Sequence, residues 1–234
     1  MSKIKIAVIP GDGIGWEVIP EGIKVLEAAG AKFGIEYDFT EFDWSCERYH
    51  KTGQMMPEDG IDQLKEFDSI FLGAVGFPGV PDHVSLWGLL IPIRREMEQY
   101  VNLRPIRMLK GMSCPLAGRT SEDIDFYVVR ENNEGEYSSI GGRLFEGTDR
   151  EMAMQESVFT RTGTDRIMRY AFELCQRTGK KKVTSATKSN GIIHTMPYWD
   201  ERFAAISKEY PDLATDQYHI DILVANFVLH PDWF

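Results

Sequence analysis

The sequence predicts an α/β protein built on a parallel-rich sheet, in two domains of about residues 1–100 and 101–234. Three observations predict it. Short apolar, strand-like runs alternate with helically spaced segments through the first hundred residues, the signature of βαβ units. The rhythm breaks at Asn102-Leu103-Arg104-Pro105. Strand and helix patterns then resume after a turn-rich excursion.

Residues 4–9 form an apolar run ending in Pro10-Gly11, a buried strand followed by a turn. Residues 18–30 carry apolar side chains at helical spacing, with Gly30 as the stop. Residues 37–42 and 69–75 read as further strands, and 57–67 as a helix with Glu58 and Asp59 in its dipole-favoured first turn. A helix over 86–100 contains Pro92, which predicts a kink or break. Residues 126–130 form a strand, and the stretch at about 137–159 reads as a projecting arm. A helix over 164–178 is expected to be capped by Thr164. A strand at 181–186, a helix at 196–210 with Pro197 in its first turn, and a last strand at 220–224 complete the expectation.

The composition narrows the function. The chain has 234 residues, 43% hydrophobic and 26% charged, values of a globular protein rather than a disordered one. Its net charge of −10 disfavours a nucleic-acid partner, which needs clustered Lys and Arg. Cys46, Cys114 and Cys175 are widely spaced and form no CxxC pair, so a reducing compartment is expected. The N-terminus shows no apolar signal region and no stretch has the length of a membrane span. A cytoplasmic protein with no membrane partner is the expectation.

Several residues carry candidate chemistry. Gly11-Asp12-Gly13-Ile14-Gly15 lies between a strand and a helix, where phosphate loops sit. Trp16 stands where the dinucleotide fingerprint needs its third glycine, so the turn either faces a ligand or is simply tight. Arg94, Arg104 and Arg130 recur at element ends in a chain short of positive charge, and guanidinium groups hold carboxylates by paired hydrogen bonds. Each could equally be a surface ion-pair residue. Tyr137 is either a proton donor or a half-buried structural tyrosine, and Lys188 either a general base at a strand end or a solvated lysine. Asp221, set in an apolar run, needs a cation, whether metal or arginine.

Taken together, these segments resemble the β-decarboxylating dehydrogenase family, the isopropylmalate and isocitrate dehydrogenases and their tartrate/D-malate branch. The residues that carry the resemblance are Ile9-Pro10-Gly11-Asp12-Gly13-Ile14-Gly15, Leu72-Gly73-Ala74-Val75-Gly76, Asn102-Leu103-Arg104-Pro105, Val129-Arg130-Glu131-Asn132, Glu134-Gly135-Glu136-Tyr137 and Thr187-Lys188-Ser189-Asn190-Gly191. Residues 81–88, 155–161 and 196–202 look like the tartrate/D-malate branch.

The resemblance implies an isopropylmalate dehydrogenase-like fold with a dimer-clasping arm, a homodimer with shared active sites, and NAD with Mg2+ or Mn2+ as cofactors, K+ being a further candidate ion. It implies oxidation and decarboxylation of a small dicarboxylate, D-malate or tartrate, with 3-isopropylmalate as the alternative substrate. Arg94, Arg104 and Arg130 would hold substrate carboxylates, Lys188 would deprotonate the C2 hydroxyl, and Tyr137 would protonate carbon 3. Asp221 would bind metal across the dimer, while Ile14, Gly76, Trp87 and Asn190 would lie by the cofactor. Trp87 would also shrink the pocket towards a short substrate. Members of this family run on beyond the position of Phe234, through further metal-binding aspartates and a loop for the adenosine half of the dinucleotide, so the first domain is expected to be incomplete here. The chain is then either part of an enzyme or a non-catalytic remnant that binds or dimerises.

Overall fold

A computed structural model describes residues 3–234 of the chain. Two compact units emerge among the described residues, one ending at Gln99 and the other spanning Tyr100–Phe234. In the first unit, β1 (Ile4–Gly11) is the central strand of a parallel sheet in the order β2-β1-β3. Ala7, Val8 and Ile9 are buried on both faces, which is why this strand reads as a continuous apolar run. α1 (Gly15–Phe33) follows and packs Ile19 onto Ile6 and Val8. It runs past Gly30, the expected stop, to Gly34, which takes the left-handed conformation (φ 70°) and donates its N–H to the Gly30 carbonyl. Gly30 is glycine for another reason: a Cβ there would lie 2.6 Å from the Ile35 carbonyl oxygen.

β2 (Tyr37–Glu41) leads into α2 (Cys46–Thr52), a short helix not anticipated, whose cap Ser45 accepts the Arg48 N–H at 3.2 Å. α3 (Gly60–Leu64) is shorter than the helix expected over 57–67. After β3 (Ser69–Ala74) comes a short helix not anticipated, α4 (Asp82–Ser85), and the single helix expected over 86–100 proves to be two pieces, a π-helical turn (Leu86–Leu90) and α5 (Ile91–Glu96). The cause is Pro92. Proline cannot donate within a helix, and the widened turn before it, in which the Ile91 N–H reaches the Leu86 carbonyl, lets the helix pass it.

In the second unit, β4 (Val101–Arg107) pairs antiparallel with β5 (Asp125–Glu131). β6 (Gly141–Leu144) and β7 (Met152–Gln155) form an exposed antiparallel ribbon within the stretch read as an arm. α6 (Arg161–Thr178) is capped by Thr160, whose hydroxyl accepts the Gly163 N–H at 3.0 Å. Thr164, the expected cap, lies buried inside the helix. β8 (Lys182–Thr187), α7 (Thr195–Ser207) and β9 (Ala214–His219) form a βαβ unit with β8 and β9 parallel.

The strand expected at 220–224 is instead the start of a helix, α8 (Ile220–Leu229). Periodicity cannot separate a strand from a helix in so short an apolar run. Asp221 falls in the helix's first turn, where the dipole favours an acid. The core of the second unit is Ile167, Met168, Phe172, Phe203 and Ile206, with Phe172 stacked on Tyr210 at 4.8 Å. An apolar cavity of about 230 Å³ opens beside it between β5, α6 and β8. None of the candidate site residues lines it.

Candidate active site

The first unit carries Ile14, Gly76, Trp87 and Arg94. Its glycine turn is tight for internal reasons. A Cβ on Gly11 would meet the Ala74 carbonyl oxygen at 2.0 Å, and one on Gly15 the Pro10 carbonyl oxygen at 1.9 Å. These two glycines therefore let the turn pack on its own sheet. Asp12, between them, is buried, and its carboxylate accepts the N–H of Cys46 at 2.9 Å and of Gly76 at 3.0 Å. It ties the turn to the loop after β3, and an acid enclosed by glycines was the available sequence signal for that role. Burial and the neighbouring Asp12 carboxylate push the Cys46 thiol up to about 11.

Gly76 has φ 126° and open space where a side chain would stand. Ile14 is exposed, and Trp87, in the π turn, lies under the Arg95 guanidinium at 4.9 Å. A cofactor would find open space at Gly76, whose N–H is already bound to Asp12. Arg94 is half-buried near the end of α5, and its carbonyl accepts the Gln99 N–H at 2.8 Å.

The second unit brings three predicted residues together. Asn102 and Arg130 stand opposite each other in the β4–β5 register, and Arg104 opposite Val128, so Asn102, Arg104 and Arg130 share one face of the ribbon. Arg104 Nε donates to Asn102 Oδ1 at 3.2 Å. The Arg130 guanidinium lies over the Tyr137 ring at 5.3 Å. Two cations and a phenol thus occupy one surface, able to hold an anion and deliver a proton beside it. Asn102 was quoted in the sequence motif but not given a role; its alternation with Arg104 was the signal.

Lys188 and Asp221 meet at the carboxyl ends of the parallel pair β8–β9, where open α/β sheets place ligands. Lys188 Nζ donates to Asp221 Oδ2. The Lys188 hydrogen bond holds the Asp221 carboxyl below the usual carboxylate range. Asp221 is exposed rather than sunk in apolar surroundings, and it pairs with Lys188 rather than with an arginine. A hard, ionised carboxylate fits a divalent cation as one ligand. Such an ion needs about six oxygens, and no group of three or more metal-ligating side chains occurs among the described residues. Asn190 is exposed in the turn after β8.

Comparison with known proteins shows what the chain is similar to. Residues 5–234 match the family model described as isocitrate/isopropylmalate dehydrogenase. The chain is 59% identical to the D-malate dehydrogenase [decarboxylating] of Escherichia coli (strain K12), covering 100% of this chain and 65% of that protein. It is 57% identical to the tartrate dehydrogenase/decarboxylase of Pseudomonas putida, covering 99% and 64%. The crystal structure of isocitrate dehydrogenase from Methylococcus capsulatus superimposes with a TM-score of 0.85 at 31% identity, over 99% of this chain and 65% of that one. The chain thus spans about 65% of the length of these relatives.

Proposed function

Because the chain belongs to the isocitrate/isopropylmalate dehydrogenase family, we propose that it carries the substrate grip and proton-transfer groups of an NAD- and divalent-metal-dependent dehydrogenase acting on D-malate or tartrate. The observation that carries this reading is the face shared by Arg104 and Arg130, with Tyr137 stacked on Arg130. Names of relatives at 57–59% identity support the same substrate class.

For D-malate the reaction balances as D-malate plus NAD+ giving pyruvate, CO2 and NADH. Arg104 and Arg130 hold substrate carboxylate by charge-assisted hydrogen bonds and fix the C2–H bond in one orientation, and Arg94 is assigned the same kind of role. Lys188 takes the proton of the C2 hydroxyl, and Tyr137 delivers its phenolic proton to carbon 3 as the C3–C4 bond breaks. NAD would supply the acceptor for the C2 hydride, and a divalent cation, for which Asp221 would be one ligand, would supply compensation for the charge that builds as CO2 leaves. Ile14, Gly76, Trp87 and Asn190 are assigned to the cofactor side of the site. The bulk of Trp87 favours a short substrate over 3-isopropylmalate. The arm over 137–159 and the Lys188–Asp221 pair are assigned to a homodimer in which each copy completes the other's site, the cytoplasm being its proposed compartment.

The test is turnover with D-malate labelled in its C4 carboxylate, NAD and Mn2+. NADH and labelled CO2 in equal amounts support the reading, and Tyr137→Phe is expected to lower kcat by about a hundredfold. NADH formed faster from 3-isopropylmalate than from D-malate or tartrate would overturn the substrate assignment.

A further inference from the structure

Tyr137 lies in a segment with no regular secondary structure from Asn132 to Ile140 apart from a single bridge at Gly135. A proton donor there needs its position fixed by tethers, and the strongest converge on Glu134, three residues earlier. Its carboxylate accepts the Thr160 N–H at 2.8 Å and the Thr160 hydroxyl at 2.6 Å. Thr160 is the cap of α6, and the same hydroxyl accepts the Gly163 N–H. Glu134 therefore grips the capping residue itself, and through it the start of an 18-residue helix.

A second observation shows that the helix is shaped around this carboxylate. A Cβ on Gly163 would lie 2.2 Å from Glu134 Cδ and 2.3 Å from both of its oxygens. Lesser ties flank the grip. Glu131 Oε1 accepts the N–H groups of Asn133 at 2.8 Å and Glu134 at 3.2 Å. The Gly135 N–H donates to the Val158 carbonyl at 2.8 Å, and Gln155 Nε2 to the Glu136 carbonyl at 3.0 Å. All of these hold the backbone just before Tyr137, whereas the Tyr137 ring itself meets Arg130.

We propose that Glu134 is a positioning residue that clamps the Tyr137 segment to the capped end of α6 and thereby sets the phenol against Arg130. The proposal rests on the assignment of Tyr137 as proton donor. It goes beyond that assignment by naming the side chain on which the donor's placement depends.

Fluorine NMR of the chain labelled with 3-fluorotyrosine tests it, with Tyr137→Phe identifying the Tyr137 resonance. Arg130→Ala shifts that resonance in the wild-type background. In Glu134→Ala the resonance is expected to move towards the position of free fluorotyrosine, and adding Arg130→Ala is expected to move it little further. Thr160→Val is expected to act like Glu134→Ala, and Thr160→Ser to leave the resonance in place. A Tyr137 resonance that stays put in Glu134→Ala and Thr160→Val, with the Arg130→Ala shift at full size, would show Glu134 to be a helix cap alone. The other eight of the nine tyrosines report whether each variant is folded; should Glu134→Ala not fold, Glu134→Gln and Thr160→Val decide the question. D-malate turnover by the wild type is measured alongside. Clamp behaviour without turnover would sink the proton-donor reading and leave the clamp standing; turnover without clamp behaviour would do the reverse.

Discussion

At the scale of single residues, the strongest electrostatic commitment lies outside the candidate site. Asp165, with a side chain only 11% exposed, takes paired hydrogen bonds from Arg202 at 2.6 and 2.9 Å, and Arg161 and Arg169 stand nearby. The Arg202 hydrogen bonds, working against burial, hold the Asp165 carboxyl below its usual range. Removing one partner of such a pair strands the other, so Asp165→Ala is expected to cost about 3 kcal/mol near neutral pH. Because the folded-state pKa is depressed, this contribution is fully present above the unfolded value of about 4 and is lost as pH falls through the folded value. Urea unfolding of both proteins at about pH 7 and about pH 3 checks it: the gap should shrink on acidification. An equal gap at both would contradict the assignment. Arg130 and Lys188 stand out in the sequence as cations near strand ends and Tyr137 as a residue seven positions after Arg130, and only the family resemblance gives them roles. The Glu134–Thr160 pair behind Tyr137 was not legible, because it meets across 26 positions, which spacing cannot express.

At the scale of elements, the reading succeeded where burial was two-sided and failed where local chemistry decided. β1 was plain because a strand buried on both faces carries a continuous apolar run, and β3, half-buried beside it, carries a similar one. β4 escaped notice because it is mostly exposed and contains Pro105, as edge strands can. α8 was read as a strand because ten mostly apolar residues carry no resolving period. The end of α1 shows two glycines with different duties. Gly34→Ala places a side chain at φ 70° in open space and is expected to cost about 1 kcal/mol. Gly30→Ala gains helix propensity, yet its Cβ would meet a backbone oxygen at 2.6 Å and the Tyr37 ring at 2.9 Å. Thermal unfolding should therefore rank Gly30→Ala below Gly34→Ala. A stabilised Gly30→Ala would show that the Ile35 carbonyl yields easily.

At the scale of the molecule, the alternation of strands and helices correctly announced an α/β fold with a parallel sheet, and the family resemblance was borne out over residues 5–234. The antiparallel β4–β5 ribbon was not announced, although it is the platform that aligns Arg104 with Arg130. Among the described residues no helix is long and apolar enough to cross a membrane. The central claim is that this platform is built for two carboxylates, and calorimetric titration with D-malate against D-lactate, its analogue with one carboxylate, tests it most directly. D-Malate should bind at least about tenfold tighter, the worth of one further charge-assisted hydrogen bond, and Arg104→Ala or Arg130→Ala should erase most of that margin. Equal affinity for the two acids, or a margin untouched by both substitutions, would contradict the account.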